Sequence, residues 1–437
     1  MRLRLRLFLA LWSALWTLGL PLILAYLARR GRKDPLYTAH LAERFGRYPA
    51  PAPGSVWIHA VSLGEFRSAV PLARAFLDRG ERLVITCFTP AGRREAERVF
   101  APERAAGQVQ VVWVPFETAW AFRGFFRAFA PKFGLVMEIE IWPRMVFAAR
   151  AAGVPLFMCN AQYPTKSIAR DSRGLRLRQE VMRGFAGAFV KSDLQASRFA
   201  AIGVQNIAVT GELRFEQPIP PALLAAGARA RGQLGLDGRR VIAFVSTVEG
   251  EDPTYIAAMR AAQASGADPF FVYVPRRPER FDTVAGLLAQ AGFSLLRRSA
   301  DLPPVLDAQA DFTAPAPLPE VLLGDSLGEM YFYLALADVV VVGGGFTPKG
   351  AHNIIEPLAL KKQVITGPEI WTIEYPFTEA EAAGVARRVA DAAELGAALS
   401  TMTDEDAARI EAFFTAHSGG VARFFAALPD SLAQARR

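Results

Sequence analysis

Residues 339–356 read Val339-Val340-Val341-Val342-Gly343-Gly344-Gly345-Phe346-Thr347-Pro348-Lys349-Gly350-Ala351-His352-Asn353-Ile354-Ile355-Glu356. Four consecutive valines are typical of a strand that is buried on both faces of a parallel sheet. The glycines that follow allow positive φ angles and close approach of a ligand to the backbone. An apolar helical pattern resumes at about Asn353, and a helix that begins beside a glycine loop directs unpaired N–H groups toward an anion. The stretch therefore predicts a phosphate site, with Glu356 placed to accept two ribose hydroxyls.

The same stretch has a simpler interpretation, which is a tight strand-to-helix turn closed by a capping residue. Its spacing also differs from the dinucleotide fingerprint G-x-G-x-x-G. A nucleotide site at this point therefore needs support from other loops of the chain.

Length and charge limit the class of protein. At 437 residues the chain is too long for one hydrophobic core, so two domains are expected. The formal net charge of +8 predicts an acidic partner, which is a nucleotide, an anionic lipid or a nucleic acid. No basic segment is interleaved with aromatic residues in the manner of nucleic-acid modules, so a nucleotide and membrane lipids are favoured and no nucleic acid is expected.

Cysteine and histidine usage predicts neither a disulfide nor a metal site. Cys87 and Cys159 fall in predicted strands and are expected to be packed thiols in a reducing compartment. The four histidines lack metal-ligand spacing. The only D-x-D triplet, residues 404–406, lies in a predicted helical tail. We therefore expect no metal and no bound cofactor.

The excess of apolar residues lies near the N-terminus. Residues 7–28 carry no charge, and arginines and a lysine flank them on both sides. This run is long enough to cross a hydrocarbon core of ~30 Å. A cleaved signal peptide is the less favoured alternative, because the run is long and basic residues follow it immediately. Gly19 and Pro21 also permit a kinked, monotopic helix. We expect an anchor over residues 1–33 that either spans or lies in a membrane, and the basic residues on both sides orient it only weakly.

After this segment the chain alternates between predicted strands and helices in two sets. Such alternation indicates doubly wound parallel sheets. We expect an α/β protein with two Rossmann-like domains that face a cleft, and ligands at the carboxyl ends of the strands. Pro218, Pro220 and Pro221 mark the linker. The predicted segments are the anchor at 1–33, domains at 34–217 and 218–403, and a helical tail at 404–437.

The first predicted strand leads into a loop with two possible roles. Ser62 and Glu65 match a capping box, in which each satisfies a backbone donor of the helix that follows. Gly64 within the box indicates that a ligand approaches the backbone closely. A carboxylate at a helix N-terminus is kept ionised by the helix dipole, which suits a general base. Glu65 is therefore a candidate both for a cap and for a catalytic base.

Further candidates follow other predicted strands. Glu138 and Glu140 end an apolar strand, and a period of two would direct both to the same face. Paired arginines at 276 and 277 suit a phosphate, because the guanidinium fork is bidentate. The Ser326–Glu329 box is interpreted mainly as a cap. The candidates for nucleotide-sugar binding in the second half are Ser246, Thr247, Glu249, Arg276, Gly324, Gly328, Glu329, Gly343, Gly344, Gly345, His352, Asn353 and Glu356.

Taken in order, these motifs resemble those of the Kdo transferases of lipopolysaccharide assembly, which have the GT-B glycosyltransferase fold. The resemblance covers nearly the whole chain, and it includes residues 43–46, 59–65, 137–143, 160–161 and 211–216 as well as the loops of the second half. It implies transfer of Kdo from CMP-Kdo to a lipid A precursor with inversion and without a metal. It also implies that Glu65 is the catalytic base, and that Ser62, Gly64, Glu138, Glu140 and Arg214 bind the acceptor.

The chain departs from the family pattern at several positions. The family has Thr at Ile139, Arg at Gln162, His at Val248 and at Arg277, Ser at Gly345, Pro at Ile354 and usually Lys at Arg214. Each lost polar side chain removes a hydrogen bond worth ~1–3 kcal/mol if it is buried. The alternatives are therefore a divergent Kdo transferase, a paralogue with another CMP-activated acidic sugar or acceptor, a nucleotide-sugar epimerase of the same architecture, and a scaffold that has lost its site.

Overall fold

The structure is a computed structural model that describes residues 3–174, 176–266, 268–313, 315–401 and 407–435. The chain divides into two compact units. The first contains residues 1–217 and 418–437, and the second contains residues 218–417.

The first unit is built on a seven-stranded parallel sheet with the order β3-β2-β1-β4-β5-β6-β7. Its strands are β1 (Val56–Ala60), β2 (Leu83–Cys87), β3 (Val109–Trp113), β4 (Gly134–Met137), β5 (Leu156–Ala161), β6 (Gly187–Val190) and β7 (Ile207–Val209). Its helices before the linker are α1 (Leu3–Gly31), α2 (Leu41–Arg44), α3 (Leu63–Asp78), α4 (Pro90–Val99), α5 (Ala101–Ala105), α6 (Ala119–Phe129), α7 (Pro143–Ala151), α8 (Thr165–Asp171), α9 (Leu177–Met182) and α10 (Asp193–Ala201).

Hydrophobic cores cover both faces of this sheet. Val56 and Ile58 of β1 face one core, and Trp57 between them faces the other. This two-sided burial is why the strands are uninterrupted apolar runs instead of alternating patterns. Strand β1 pairs with β2 on one side and with β4 on the other. The order in which the chain adds strands to the sheet therefore reverses at β1. The loops that follow β1 and β4 are therefore neighbours at the carboxyl edge, where open α/β sheets bind ligands.

The second unit repeats the plan with the strand order β10-β11-β9-β8-β12-β13-β14, all parallel. Its strands are β8 (Val241–Thr247), β9 (Phe270–Pro275), β10 (Leu295–Arg297), β11 (Val321–Leu323), β12 (Val339–Val342), β13 (Gln363–Thr366) and β14 (Ala386–Arg388). Its helices are α11 (Pro221–Gln233), α12 (Asp252–Ala264), α13 (Phe281–Gln290), α14 (Arg298–Asp301), α15 (Met330–Leu336), α16 (Ile355–Ala359), α17 (Glu374–Ala382), α18 (Ala392–Thr401) and α19 (Ala407–His417). The four valines form β12 beside β8, so the loops after these two strands meet at the second reversal point.

The end of the chain differs from the predicted separate tail. Residues 404–406, which include the D-x-D triplet, lie outside the described residues. Helix α19 belongs to the second unit, whereas α20 (Gly420–Ala435) belongs to the first. Phe424 and Leu428 of α20 are buried in the same core as β1, since an apolar stripe on this helix packs against the sheet.

Candidate active site

Glu65 lies in the first turn of α3, directly after β1. The Ser62 hydroxyl accepts a hydrogen bond from the Glu65 backbone N–H at 3.3 Å and donates one to Glu65 Oε1 at 2.8 Å. Glu65 Oε2 accepts a hydrogen bond from the Val61 backbone N–H at 2.8 Å. The capping box that the sequence predicts is therefore formed.

The surroundings of Glu65 also change its chemistry. Burial raises the pKa of the Glu65 carboxyl to about 7, and the nearby carboxylates of Glu140 and Glu138 act in the same direction. The hydrogen bonds from Ser62 and Val61 oppose this shift without cancelling it. A carboxyl group whose pKa lies near neutrality is suited to accept a proton from a hydroxyl.

The structure brings Glu138 and Glu140 near Glu65, but for a reason that differs from the predicted one. Strand β4 ends at Met137, and Glu138 has a φ of 56°. The prediction that strand periodicity directs both carboxylates to one face is therefore wrong. Glu138 instead pairs with Arg214 at 2.5 Å, and Glu140 accepts a hydrogen bond from Trp142 Nε1 at 2.8 Å.

A buried network that the sequence did not reveal holds Arg214 in place. Lys191 and Glu212 form an ion pair at 2.6 Å, and both side chains are almost completely buried. Asn160 donates from Nδ2 to Glu212 at 2.7 Å and accepts from the Leu213 backbone N–H at 3.0 Å. These contacts fix the short 3₁₀ turn Leu213–Glu216, which carries Arg214 toward Glu138. Lys191 is an isolated lysine in the sequence, so only the strand order β5-β6-β7 reveals its role.

In the second unit, the glycine loop after β12 is held by a residue that the sequence did not single out. The carboxylate of Glu251 accepts hydrogen bonds from the backbone N–H groups of Gly344 at 2.7 Å, Phe346 at 3.0 Å and Val248 at 3.1 Å. Glu251 is fully buried, whereas the predicted candidate Glu249 is exposed. The N–H groups of Gly344 and Phe346 in the glycine loop are therefore already occupied by a carboxylate.

The three glycines are also required by packing within the unit. A Cβ atom on Gly343 would lie 2.6 Å from the Ser246 carbonyl oxygen, and one on Gly345 would lie 2.4 Å from Thr366 Oγ1. Gly344 has a φ of 95°, which only glycine adopts readily. These glycines let the loops after β8, β12 and β13 approach closely, and their contact with a nucleotide stays a prediction.

A short helix follows the glycine loop close to its predicted start at about Asn353. Backbone hydrogen bonds from Ala351 to Glu369 and from His352 to Gly343 hold the intervening chain in a loop. Helix α16 begins only at Ile355 and is five residues long. The Asn353 side chain accepts a hydrogen bond from the Ile355 backbone N–H at 3.0 Å, just before the helix begins. Glu356 lies in its first turn, as predicted, and is half-buried.

Positive charge does collect beside this loop. Burial, together with the nearby cations Arg276 and Lys349, lowers the pKa of His352 to about 3. The imidazole is therefore neutral at physiological pH, and its buried Nε2 atom has no hydrogen-bond partner within the described part of the chain. The Arg276 backbone N–H donates to the Thr247 carbonyl at 3.0 Å, which ties the loop after β9 to the end of β8. Ser246, at the bulge in β8, has a φ of 57°.

The Ser326–Glu329 box does not act as the predicted helix cap. Helix α15 begins at Met330 without a side-chain cap, and Glu329 is the residue before it. The Glu329 carboxylate instead pairs with Arg298 at 2.7 Å and accepts a hydrogen bond from Ser326. Gly324 is confined by Tyr333 and Val274, while Gly328 has a φ of 84° in open space. This cluster stabilises the loop after β11.

Metal ligation finds no support in the geometry. Among the residues that the structure describes, no group of three or more His, Cys, Asp or Glu side chains is placed to hold an ion. That the reaction needs no metal stays a prediction.

Two doubly wound parallel units in one chain define the GT-B class of fold. Solved structures share it. A glycosyltransferase from Rickettsia africae has a TM-score of 0.54 and 11% identity, over 89% of this chain and 99% of that chain. UDP-GlcNAc 2-epimerase from Neisseria meningitidis bound to UDP-GlcNAc has a TM-score of 0.50 and 12% identity, over 83% and 99%. Because transferases and epimerases share the fold, it does not by itself decide the reaction.

Sequence relatives decide the family. The family model described as 3-deoxy-D-manno-octulosonic-acid transferase (kdotransferase) matches residues 39–217. The 3-deoxy-D-manno-octulosonic acid transferase of Bordetella pertussis is 38% identical over 428 residues, covering 94% of this chain and 96% of that protein. The chain therefore belongs to the Kdo transferase family and is a glycosyltransferase.

Proposed function

We propose that this protein is an inverting glycosyltransferase that moves Kdo from CMP-Kdo to a lipid A precursor in lipopolysaccharide biosynthesis. The observation that carries the proposal is the Glu65 carboxyl, whose pKa is raised to about 7 at the reversal point of the first sheet. Membership of the Kdo transferase family supports the choice of donor.

In the proposed reaction, Glu65 removes the proton from the acceptor hydroxyl as that oxygen attacks the anomeric carbon of Kdo. The bond from this carbon to the CMP phosphate breaks, and CMP leaves with the bonding electron pair. The transition state has oxocarbenium character, by analogy with glycoside chemistry. Arg276 is proposed to stabilise the charge on the departing phosphate, and Glu356 to bind the ribose.

The acceptor side is assigned to the first unit. The carboxylates of Glu138 and Glu140 act on the pKa of Glu65, and Arg214 forms an ion pair with Glu138. These three residues are proposed to orient the acceptor hydroxyl. Helix α1 is long and apolar enough to enter a membrane, with a mean hydropathy of 2.0 over its most apolar window. We propose that it attaches the enzyme to the cytoplasmic face of the inner membrane, where a lipid acceptor is found.

The test is an in vitro assay with CMP-Kdo, a tetraacylated lipid A precursor and no added metal, with products weighed by mass spectrometry. A mass increase of the acceptor by one or more Kdo units is expected, and the Glu65→Gln variant serves as the inactive control. Transfer from a different CMP-activated acidic sugar, or only to a different acceptor, would replace the proposed substrate pair. Turnover of a nucleotide sugar without an acceptor would support an epimerase instead.

A further inference from the structure

One stripe of the N-terminal helix packs against the first unit. Leu5, Leu9 and Leu27 are buried, and Trp12 and Trp16 are partly covered. Residues three, four or eleven positions apart lie on the same side of an α-helix, and these five residues have that spacing, so they share one face of α1. Four of these five residues lie within the first half of α1, so it is this half that lies along the first unit, and Leu27 alone is buried near the end of the helix.

Polar contacts hold the first half of α1 in this position. Arg4 pairs with Glu180, a buried residue of α9. Trp12 donates from Nε1 to the buried carboxylate of Glu117. Arg144 of α7 donates to the Leu9 carbonyl oxygen. A helix that crossed a bilayer away from the protein could not make these contacts, because they join three different turns of α1 to one soluble unit.

The opposite face of α1 is apolar and exposed. Six leucines on it are between 56% and 77% exposed, namely Leu3, Leu7, Leu11, Leu15, Leu18 and Leu22. Such a face is too large and too apolar to remain in water. A lipid surface is the occupant that the composition favours, because residues 7–28 carry no charge and both ends of the segment are basic.

The positions of the basic residues distinguish a helix that spans the bilayer from one that lies in its plane. Arginines at 4 and 6 precede the apolar run, while Arg29, Arg30, Arg32 and Lys33 follow it. In a spanning helix one of the two groups would have to cross to the far side of the membrane. In a helix that lies in the plane of the membrane, both groups reach anionic headgroups on the same side.

Grooves on both sides of α1 add to this basic surface. One groove of about 610 Å³ is lined by Leu9 together with Arg123, Arg127 and Arg144. Another of about 470 Å³ is lined by Leu5 with Arg150 and Arg183. Arginine side chains beside a lipid-facing helix are suited to the phosphates of phospholipid headgroups.

From these observations we infer that α1 is a monotopic element, docked along the first unit, whose leucine face enters a single leaflet. Both of its ends remain in the cytoplasm, and the flanking arginines contact the phosphates of bilayer lipids. The inference deepens the membrane attachment proposed above, but the experiments below measure topology and docking and do not depend on the reaction.

The first test is cysteine labelling with a membrane-impermeant maleimide. The native Cys87 and Cys159 are fully buried and provide a low background. Arg6→Cys and Lys33→Cys report the two ends of α1, and Ser197→Cys reports the exposed surface of the first unit. All three should be labelled in inverted inner-membrane vesicles and none in intact spheroplasts. Labelling of Arg6→Cys from the spheroplast side, with Lys33→Cys labelled only from the cytoplasmic side, would overturn the inference.

The second test asks whether α1 is docked in the full-length protein purified in detergent. Arg4→Glu removes the ion pair and leaves two carboxylates facing each other, so the melting temperature should fall. Arg6→Glu is the matched control, because it makes the same charge change at an exposed position of the same helix. Adding Glu180→Arg should recover part of the loss in Arg4→Glu. Equal melting temperatures for the two single variants would show that α1 is not docked.

Discussion

At the scale of single residues, Glu65 caps its helix and is also the proposed base, two tasks that the sequence presents as alternatives. Its carboxylate accepts hydrogen bonds from Val61 and Ser62, one on each oxygen. Each carboxylate oxygen has two lone pairs, so these bonds leave acceptor capacity for a substrate proton. Capping also fixes the orientation of the carboxylate. Capping is therefore compatible with the proposed role of Glu65 as the base.

The substitution Glu65→Gln separates the two tasks. Gln can still serve in a capping box, so the melting temperature should hardly change. It cannot accept a proton, so the transfer rate should fall by ~10²–10⁴-fold. Product formation by mass spectrometry and a thermal melt of the same preparation test this. Activity within a few-fold of wild type would show that Glu65 only caps its helix.

The effect of the Glu140 carboxylate on the pKa of Glu65 can be tested through the pH dependence of kcat/KM. Only ionised Glu65 can act as the base, so kcat/KM should rise with pH and level off above a midpoint near the pKa of about 7. Glu140→Gln removes a negative charge that raises this pKa, so the rising limb should move to lower pH. The shift should be partial, because burial is the larger cause. A limb that stays in place would argue against Glu65 as the titrating group.

The sequence predicts the capping role of Glu65 correctly and its environment poorly. The S-x-x-E spacing after an apolar strand identifies the residue locally. The raised pKa depends on Glu140, which is 75 positions away in the chain and becomes a neighbour only through the pairing of β1 with β4. Glu251 could not be chosen over Glu249 for a related reason. Two acidic residues follow the same strand, and only the packed structure shows which one is buried.

At the scale of elements, the loop after β12 is a rigid part of the second unit. Glu251 occupies two of its backbone donors, and the glycines fit against the ends of β8 and β13. The interior strands were predicted from their apolar runs. Apolar runs do not reveal β7, β10 and β14, because each is a three-residue edge strand without a continuous buried pattern. Helix α16 begins at Ile355, within two residues of the predicted start at about Asn353.

The rigidity of this loop predicts different effects for two neighbouring glutamates. Glu251→Ala leaves three backbone N–H groups without their acceptor, which should lower the free energy of unfolding by at least ~2 kcal/mol. It should also weaken CMP binding, because the loop loses its shape. Chemical denaturation and calorimetry measure the two effects.

Glu249→Ala is the control for this prediction. It makes the same charge change at an exposed site two residues earlier, so unfolding should be unaffected. A similar loss of stability in both variants would mean that the loop does not depend on the Glu251 carboxylate.

At the scale of the whole molecule, the chain passes from the first unit to the second and then returns. The crossing at residues 217–218 coincides with the proline linker that the sequence predicts. The return was not predicted, because a helix of mixed composition gives no local sign of which core it joins. In the structure, Phe424 of α20 packs between Phe76 and Phe189, with ring centroids 5.9 Å and 4.5 Å away.

This return can be tested with a substitution far from any proposed site. Phe424→Ala removes a fully buried ring, so the first unit should lose about 3–5 kcal/mol of stability. CMP binding, which is assigned to the second unit, should persist at temperatures where transfer is already lost. Gln434→Ala, an exposed change in the same helix, should leave both properties intact. Joint loss of binding and transfer would indicate that the two units unfold together.

The late position of α20 in the chain has a consequence for synthesis. Domains generally fold as they leave the ribosome, N-terminal part first. Here the unit that carries the proposed base lacks Phe424 and Leu428 until translation has passed residue 428, although all of its strands were made more than two hundred residues earlier. A nascent or prematurely terminated chain therefore holds an incomplete first unit and a finished second one. Such a product would bind donor nucleotide without being able to transfer the sugar.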